Sequence, residues 1–495
     1  MLYIPPLPLS YQGRDIRELT LGGAEPFKWF FDRYTLFVNG EECPVRECRV
    51  SAIPFNRPWP GKQRDIAQTE MAGYSVFYSD EAVTVTVKVD GGFEKAVVRP
   101  LGAGIKVERL SSDTARFTLD KNGAYVFEAD GEHSPLEIFY EKKPVEPSME
   151  GITKYYGPGI HFEGIVRLYD NDVVYVHPEA QVFASFNAIG ARNIRIFGGG
   201  VIDGGTERRL FEHCYENFTK GTVRFYDCED VVIEDVILKD SATWVLSMFR
   251  CDRVRIDNVK EVGNWRYNTD GIDLCNCRDV LIQNCYIHVF DDGITIKGVS
   301  NWDRSFVPEE RRDRSVYNIV IDKCILWCGW GRTCEIGVES SAPEMTGIVF
   351  KNCDCIRNTH AVLDARAGWS GYIHHVSFEN INVELHSDYQ RPVRQRDFDD
   401  DQVYTPEESK YTVPAVMYVD DKSFANSVPG KVSNVSFKNI FVIADDGVPK
   451  PEVSFVSYNG GVRDIYVDGV YFNGVRQKDL SLFDTSKCNV RPIFS

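Results

Sequence analysis

Three acidic residues stand out by their type and spacing. Asp270 opens the phrase Asp270-Gly271-Ile272-Asp273-Leu274. The phrase returns 22 residues later as Asp292-Gly293-Ile294-Thr295-Ile296, with Asp291 directly before it. A carboxylic acid that protonates a leaving oxygen, beside a carboxylate that activates water, is the minimum equipment for hydrolysing an acetal link. Carboxylates held close also repel, which raises one pKa of a pair. A purely structural protein gains nothing obvious from that. The plainer reading is that Asp-Gly is a turn dipeptide with solvated acids. It suits a single Asp-Gly. It does not account for Asn268-Thr269-Asp270-Gly271 followed 21 and 22 residues on by Asp291 and Asp292.

The elements that position these acids are legible as a repeat. From about Gly151 a phrase of the form apolar-x-apolar-x-(Asp/Asn/Lys) recurs. It reads Val231-Val232-Ile233-Glu234-Asp235, then Val254-Arg255-Ile256-Asp257-Asn258, then Val280-Leu281-Ile282-Gln283-Asn284. Later copies begin at Ile319, Ile348, Val376, Val435 and Ile465. The shortest intervals are 23, 26, 28 and 29 residues, and longer ones carry insertions. A short strand at that period marks a solenoid. No helical periodicity lies between the strands, so a parallel β-helix is preferred to a leucine-rich repeat. Successive coils then stack about 4.8 Å apart. Aligned on the repeat, Asp270 and Asp292 occupy the same column, with Trp244 in the coil before. Columns of Cys285, Cys324 and Cys353, and of Cys228, Cys251 and Cys277, read as stacked core thiols, because cysteine behaves as a small buried hydrophobe.

Before Met149 the pattern differs. Runs such as Val83-Thr84-Val85-Thr86-Val87 and Ala115-Arg116-Phe117-Thr118-Leu119 alternate with period two, and Asp90-Gly91-Gly92 and Lys121-Asn122-Gly123 separate strands. That predicts an antiparallel β-sandwich. The expected architecture is therefore all-β: a sandwich domain over residues 1–148 and a right-handed parallel β-helix over 149–495, joined near Lys142-Lys143-Pro144-Val145-Glu146-Pro147.

Bulk composition narrows the partners. The formal net charge is −17, which argues against nucleic acid and anionic membranes and weakly against a polyanionic substrate. No stretch approaches about 18 apolar residues. The 14 cysteines show no paired ligand spacing, so neither metal nor cofactor is expected. Many thiols and the absence of a basic-then-apolar leader fit a reducing cytoplasm. Homo-oligomerisation is left open.

Six of the eight tryptophans, Trp244, Trp265, Trp302, Trp327, Trp330 and Trp369, fall near the acidic cluster in sequence. Aromatic faces stack on sugar rings, and at least two are expected to line a cleft. Lys297 lies five residues after Asp292 and alternation is compatible with the same face. Insertions at about 300–314, with Arg304, Glu309, Glu310, Arg311 and Arg312, and at 386–431, with Asp397-Phe398-Asp399-Asp400-Asp401, are expected at the cleft edge. Flanking loops would favour a pocket, hence exo-action.

The stretch 268–298 resembles the clan of β-helical glycosidases that contains polygalacturonases (glycoside hydrolase family 28) and dextranases with isopullulanases (family 49). The resemblance rests on Asn268-Thr269-Asp270-Gly271 and on Asp291-Asp292 at their spacing. It implies that Asp291 is the general acid, that Asp270 and Asp292 position and deprotonate the attacking water, and that the reaction inverts configuration. An N-terminal sandwich is similar to family 49. Two departures stand out. Where polygalacturonases have Gly-His-Gly, this chain has Gly331-Arg332-Thr333, and their Arg-Ile-Lys corresponds to Val362-Leu363-Asp364. The resemblance implies loss of the cations that hold a uronate, although Arg332 and Arg366 remain to compensate. The expected function is an inverting O-glycosyl hydrolase of poly- or oligosaccharides, with a neutral or partly charged glycan. Asn268, Trp244, Lys297, Arg332, Glu335, Arg366 and Trp369 are the expected substrate contacts. The rivals are a β-helical lyase or epimerase, and a non-catalytic glycan-binding β-helix.

Overall fold

The structure, a computed structural model, describes residues 2–8, 10–11, 14–15, 31–52, 69–144, 147–207, 220–299, 314–387, 413–424 and 427–494. Trp302, the Arg304–Arg312 charges and the Asp397–Asp401 run lie outside the described residues.

The repeat seen in the sequence forms a single right-handed parallel β-helix whose strands stack in three faces. The first face holds the repeated phrase itself: Glu229–Glu234, Asp252–Asp257, Arg278–Gln283, Val316–Asp322, Met345–Lys351, Tyr372–Leu385, Lys431–Ala444 and Val462–Phe472 pair in parallel in that order. The second face stacks Ile237–Lys239, Lys260–Asn264, Tyr286–Val289, Ile325–Cys328 and Asp354–Arg357. On the third lie Val223–Tyr226, Leu246–Phe249, Ile272–Cys275, Ile294–Gly298, Arg332–Ser340, Ala361–Arg366, Ala415–Asp420 and Glu452–Val456.

The polar position of the phrase now has a physical reason. Asp235, Asn258, Asn284, Lys323, Asn352, Asn380 and Asn439 all have φ between 53° and 65°. The chain turns off the first face through the left-handed region, which Asn and Asp tolerate best among residues with a Cβ. The side-chain amides then ladder between coils: Asn439 donates to Asn380 and Asn380 to Asn352, both at 3.0 Å. Inside, the alternate apolar positions close one core that runs the length of the helix and includes all six stacked cysteines.

Two five-stranded sheets form the N-terminal sandwich around Leu36, Val85, Val87, Phe117, Phe127 and Ile138. Pairing is antiparallel except that Leu136–Glu141 runs parallel to Thr69–Tyr78, a feature that alternation cannot reveal. The last sandwich strand ends at Glu141 and the first helix strand begins at Lys154. The sandwich docks on the second face through Tyr74, Val76, Val126 and Phe139 against Ile237, Val262, Tyr286, Trp327 and Ile356. The third face is left to do other work.

Candidate functional site

Strand register places the acids. Ile272 pairs with Ile294 and Ile294 with Cys334, so Asp270, Asp292 and Arg332 begin three consecutive rungs of the third face. Leu246 pairs with Ile272, which puts Trp244 in the same column one coil earlier. The backbone confirms the stacking: Gly271 N donates to Asp292 O at 2.8 Å, and Gly293 N donates to Arg332 O at 2.7 Å. Glycine follows each Asp because the coils are so close. A Cβ on Gly271 would stand 2.5 Å from Gly293 O, and one on Gly293 would stand 2.5 Å from Thr333 O. Gly331 is required likewise, since its Cβ would meet Asp292 Oδ1 at 2.3 Å.

Asp270, Asp291 and Asp292 are 3%, 6% and 8% exposed, so the three carboxyls sit at the floor of the face rather than in bulk water. Asn268 Nδ2 reaches Asp291 Oδ2 at 3.5 Å. Burial, then the neighbouring Asp292 charge, pushes the Asp291 carboxyl well above the usual carboxylate range. Asp292 moves the other way. Burial opposes its ionisation, but Arg332, Lys297 and the Arg332 backbone N–H, 2.7 Å from its Oδ1, outweigh it and hold it below its ordinary value. Two carboxyls adjacent in sequence whose surroundings drive their proton affinities apart are the pairing that acid–base chemistry needs.

Lys297 is sealed at this floor, with Nζ 3.1 Å from Asp270 Oδ2 and 3.0 Å from Asp273 Oδ1. Its ammonium also lies 4.4 Å over the Trp244 ring. Burial raises both Asp270 and Asp273 against the pull of Lys297. Trp244, only 2% exposed, packs on Phe249 at 6.1 Å and supports Lys297 from below, which leaves little of its ring for a sugar. Further along, Arg332 Nη1 lies 3.2 Å from Glu335 Oε1, and Arg332 Nε lies 2.7 Å from Asp364 Oδ2. Arg366 Nε meets Asp420 Oδ1 at 3.0 Å.

The remaining tryptophans divide. Trp330, half-buried, stacks on Phe290 at 5.4 Å, the residue before Asp291. Trp327 stacks on His288 and faces the sandwich instead. Trp265 donates its N–H to Asp240 at 2.9 Å. Trp369, half-buried, hydrogen-bonds through its backbone to Ser340.

Register also adjusts the frame expected around residue 363. Val362 and Leu363 are both core residues, and Ala365 is too, so the polar positions of this strand are Asp364 and Arg366. The segment facing the cleft is thus Asp364-Ala365-Arg366, which does carry a cation. Asp273, Glu339, Asp364 and Asp420 were not singled out as site residues from the sequence. Two of them share a column that only the register reveals: Asp273, Thr295, Glu335, Asp364 and Tyr418 are partners on successive strands. Among the described residues no cluster has the composition of a metal site.

Comparison with known proteins accords with this geometry. Over 159 residues the chain is 25% identical to rhamnogalacturonase B of Aspergillus niger, which covers 32% of this chain and 25% of that one. It is 29% identical over 205 residues to a probable polygalacturonase of Arabidopsis thaliana, covering 39% of this chain and 42% of that protein. The chain thus spans about a quarter of the length of the rhamnogalacturonase it matches. The structure of Dex49A from Penicillium minioluteum superposes with a TM-score of 0.59 at 12% identity, covering 99% of this chain and 96% of that one, so the two share a fold, sandwich included. The model of glycosyl hydrolases family 28 matches residues 149–453, a segment that contains the helix coils with all three acids, and the chain belongs to that family.

Proposed function

We propose that this protein hydrolyses O-glycosidic bonds by single displacement with inversion. One observation carries the reading: the adjacent carboxyls of Asp291 and Asp292, nearly buried beside Asn268 and the Arg332 backbone N–H, are driven in opposite directions by their surroundings. Asp291 holds its proton and gives it to the departing glycosidic oxygen. Asp292, kept ionised by Arg332, takes a proton from the attacking water. Asp270, locked by Lys297, helps to hold that water. No step in this scheme calls for a metal.

The names of the relatives, rhamnogalacturonase and polygalacturonase, put pectic chains first among substrates to try. The acidity of the site favours a neutral or only partly charged sugar next to the cleaved bond. The test is a panel of pectic and α-glucan oligosaccharides, with the first-formed product read by NMR. The expected outcome is release of a reducing end whose anomeric configuration is opposite to that of the bond cleaved. Retention of configuration would overturn the single-displacement scheme, and an unsaturated product would move the protein to the lyases.

A further inference from the structure

Just beyond the acids, two guanidiniums reach the third face from consecutive rungs. Arg332 begins the strand Arg332–Ser340 and Arg366 ends its parallel partner Ala361–Arg366. Their side chains keep 17% and 10% of their exposure. Their partners keep none: Asp364 and Asp420 are both at 0%. The anions are therefore the more deeply buried partners, and Glu335, whose side chain is 1% exposed and lies 3.2 Å from Arg332 Nη1, is a third. Asp364 is central to the arrangement. It is 2.7 Å from Arg332 Nε, and it is the strongest opposing charge felt by Arg366. Arg366 is further tied to Asp420, and its guanidinium carbon lies 5.5 Å over the Tyr418 ring.

A guanidinium pair on adjacent coils is well suited to a carboxylate, since charge-assisted contacts of that kind are strong and bidentate. Here that charge is already met from beneath, by Glu335, Asp364 and Asp420. We propose that Asp364 sets the class of sugar accepted over Arg332 and Arg366: its charge, added from the buried side to those of Glu335 on Arg332 and Asp420 on Arg366, cancels the two guanidiniums, makes this position one for an uncharged ring and turns away a uronate. The inference rests on the reading of this face as a glycan site, and names the determinant of its substrate class.

Asp364 is a switch as well as a filter: besides the two guanidiniums, Asp420 and Asp292, it faces Glu335 and Tyr418 on the strands to either side. Burial raises its carboxyl to about 7, Arg332 and Arg366 pull it down, and Asp420 and Asp292 push it up. Below about pH 7 it takes up a proton, and the two guanidiniums then show net positive charge to a sugar that is itself still ionised, because a uronic carboxyl titrates only near pH 3–4.

The test uses two probes that differ only in charge, galacturonic acid and its methyl ester, with dissociation constants measured by NMR titration of the full-length protein at pH 8. Asp364→Asn, checked for folding by its melting curve, should bind the acid about ten-fold more tightly than the wild type does. Its affinity for the ester should stay within about three-fold. In the wild type, affinity for the acid should rise between pH 8 and pH 6 while affinity for the ester stays level. This second measurement decides the matter if the variant does not fold. The proposal is overturned if the ester binds and neither the variant nor the lower pH improves binding of the acid. If neither sugar binds either protein, the glycan reading of the face fails, and this proposal fails with it.

Discussion

Lys297 and Asp270, 27 residues apart in the chain, form an ion pair 3.1 Å long across consecutive coils at the floor of the third face. The same ammonium holds Asp273 at 3.0 Å, so one buried cation serves two buried acids. Lys297→Met keeps the stem and removes the charge. It should leave Asp270 and Asp273 unpaired in a site that already resists ionisation, and both should stay protonated to higher pH. Turnover should fall by about two to three orders of magnitude, and the rise of activity with pH should move to higher pH. A steady-state pH profile checks this; the ammonium also lowers Asp292, so an unchanged profile would show that Lys297 does not set the ionisation of these carboxyls.

The opposite shifts of Asp291 and Asp292 predict a bell-shaped pH dependence of kcat/KM. The acid limb reports Asp292, held below its ordinary value by Arg332 and Lys297 against burial. The alkaline limb reports Asp291, raised first by burial and then by Asp292. Activity is lost as pH falls through the first and as it rises through the second. Arg332→Gln removes the principal cation from Asp292, so the acid limb should move up by about one pH unit, with the alkaline limb less affected. Limbs that both stay in place would detach Arg332 from the base.

Glu261 is a carboxyl in the core. It pairs with Leu238 and Ile287, both sealed residues of the inner wall, and neither of its carboxylate oxygens has a hydrogen-bond partner. Burial, with smaller contributions from Cys285 and Asp273, lifts it well above the usual carboxylate range. A carboxyl raised in the folded state binds its proton more tightly there than in the unfolded chain. Its contribution to stability is therefore full below about pH 4.5 and shrinks as pH rises from there toward the folded value, at up to about 1.4 kcal/mol per unit. Glu261→Leu should be more stable than the wild type at pH 8 by about 1–3 kcal/mol and should lose that part of the pH slope. Denaturant titrations at pH 5 and pH 8 measure both. A variant destabilised at pH 8 would show that Glu261 has a partner that supports the fold.

The dock between sandwich and helix buries Arg357, whose side chain is 1% exposed and whose Nη2 lies 2.7 Å from Glu128 Oε2. Arg99 meets the same oxygen at 2.8 Å and reaches Glu384 on the helix at 2.5 Å. Burial opposes ionisation of Glu128, yet Arg357 and Arg99 bring it down to about 2. The stability it contributes is present above about pH 4.5 and is lost as pH falls from there toward 2. Arg357→Ala leaves a buried carboxylate short of its main partner and should cost about 3–5 kcal/mol. Thermal unfolding should then show a lower midpoint or a split transition; an unchanged curve would mean that the apolar contacts alone hold the dock.

The sequence carried the architecture because a coil repeats its own constraints. Each left-handed Asn or Asp, each core cysteine and each apolar pair recurs in register, so one phrase predicts the next. The acids were legible for the same reason, since Asp270 and Asp292 are one phrase read twice. Asp273, Asp364 and Asp420 were not, because an alternating polar residue reads the same whether it faces water or lies under an arginine. The Arg366 frame was missed by two residues, the period of a strand, and only the pairing of Leu363 and Ala365 with the core residues Cys334 and Ile336 settles which side chains face out. Arg357 and Glu128 stand 229 residues apart with no shared pattern, so only folding brings them together.

The central claim is that Asp291 delivers the proton to the leaving oxygen. The direct measurement compares wild type and Asp291→Asn on two substrates: a natural glycoside, whose leaving alcohol needs protonation, and an aryl glycoside of the same sugar, whose phenolate does not. The account predicts a loss of about three orders of magnitude or more on the first and a much smaller loss on the second, with binding of the intact glycan preserved in both cases. Equal losses on the two substrates, or a variant that retains wild-type turnover on the natural glycoside, would contradict it.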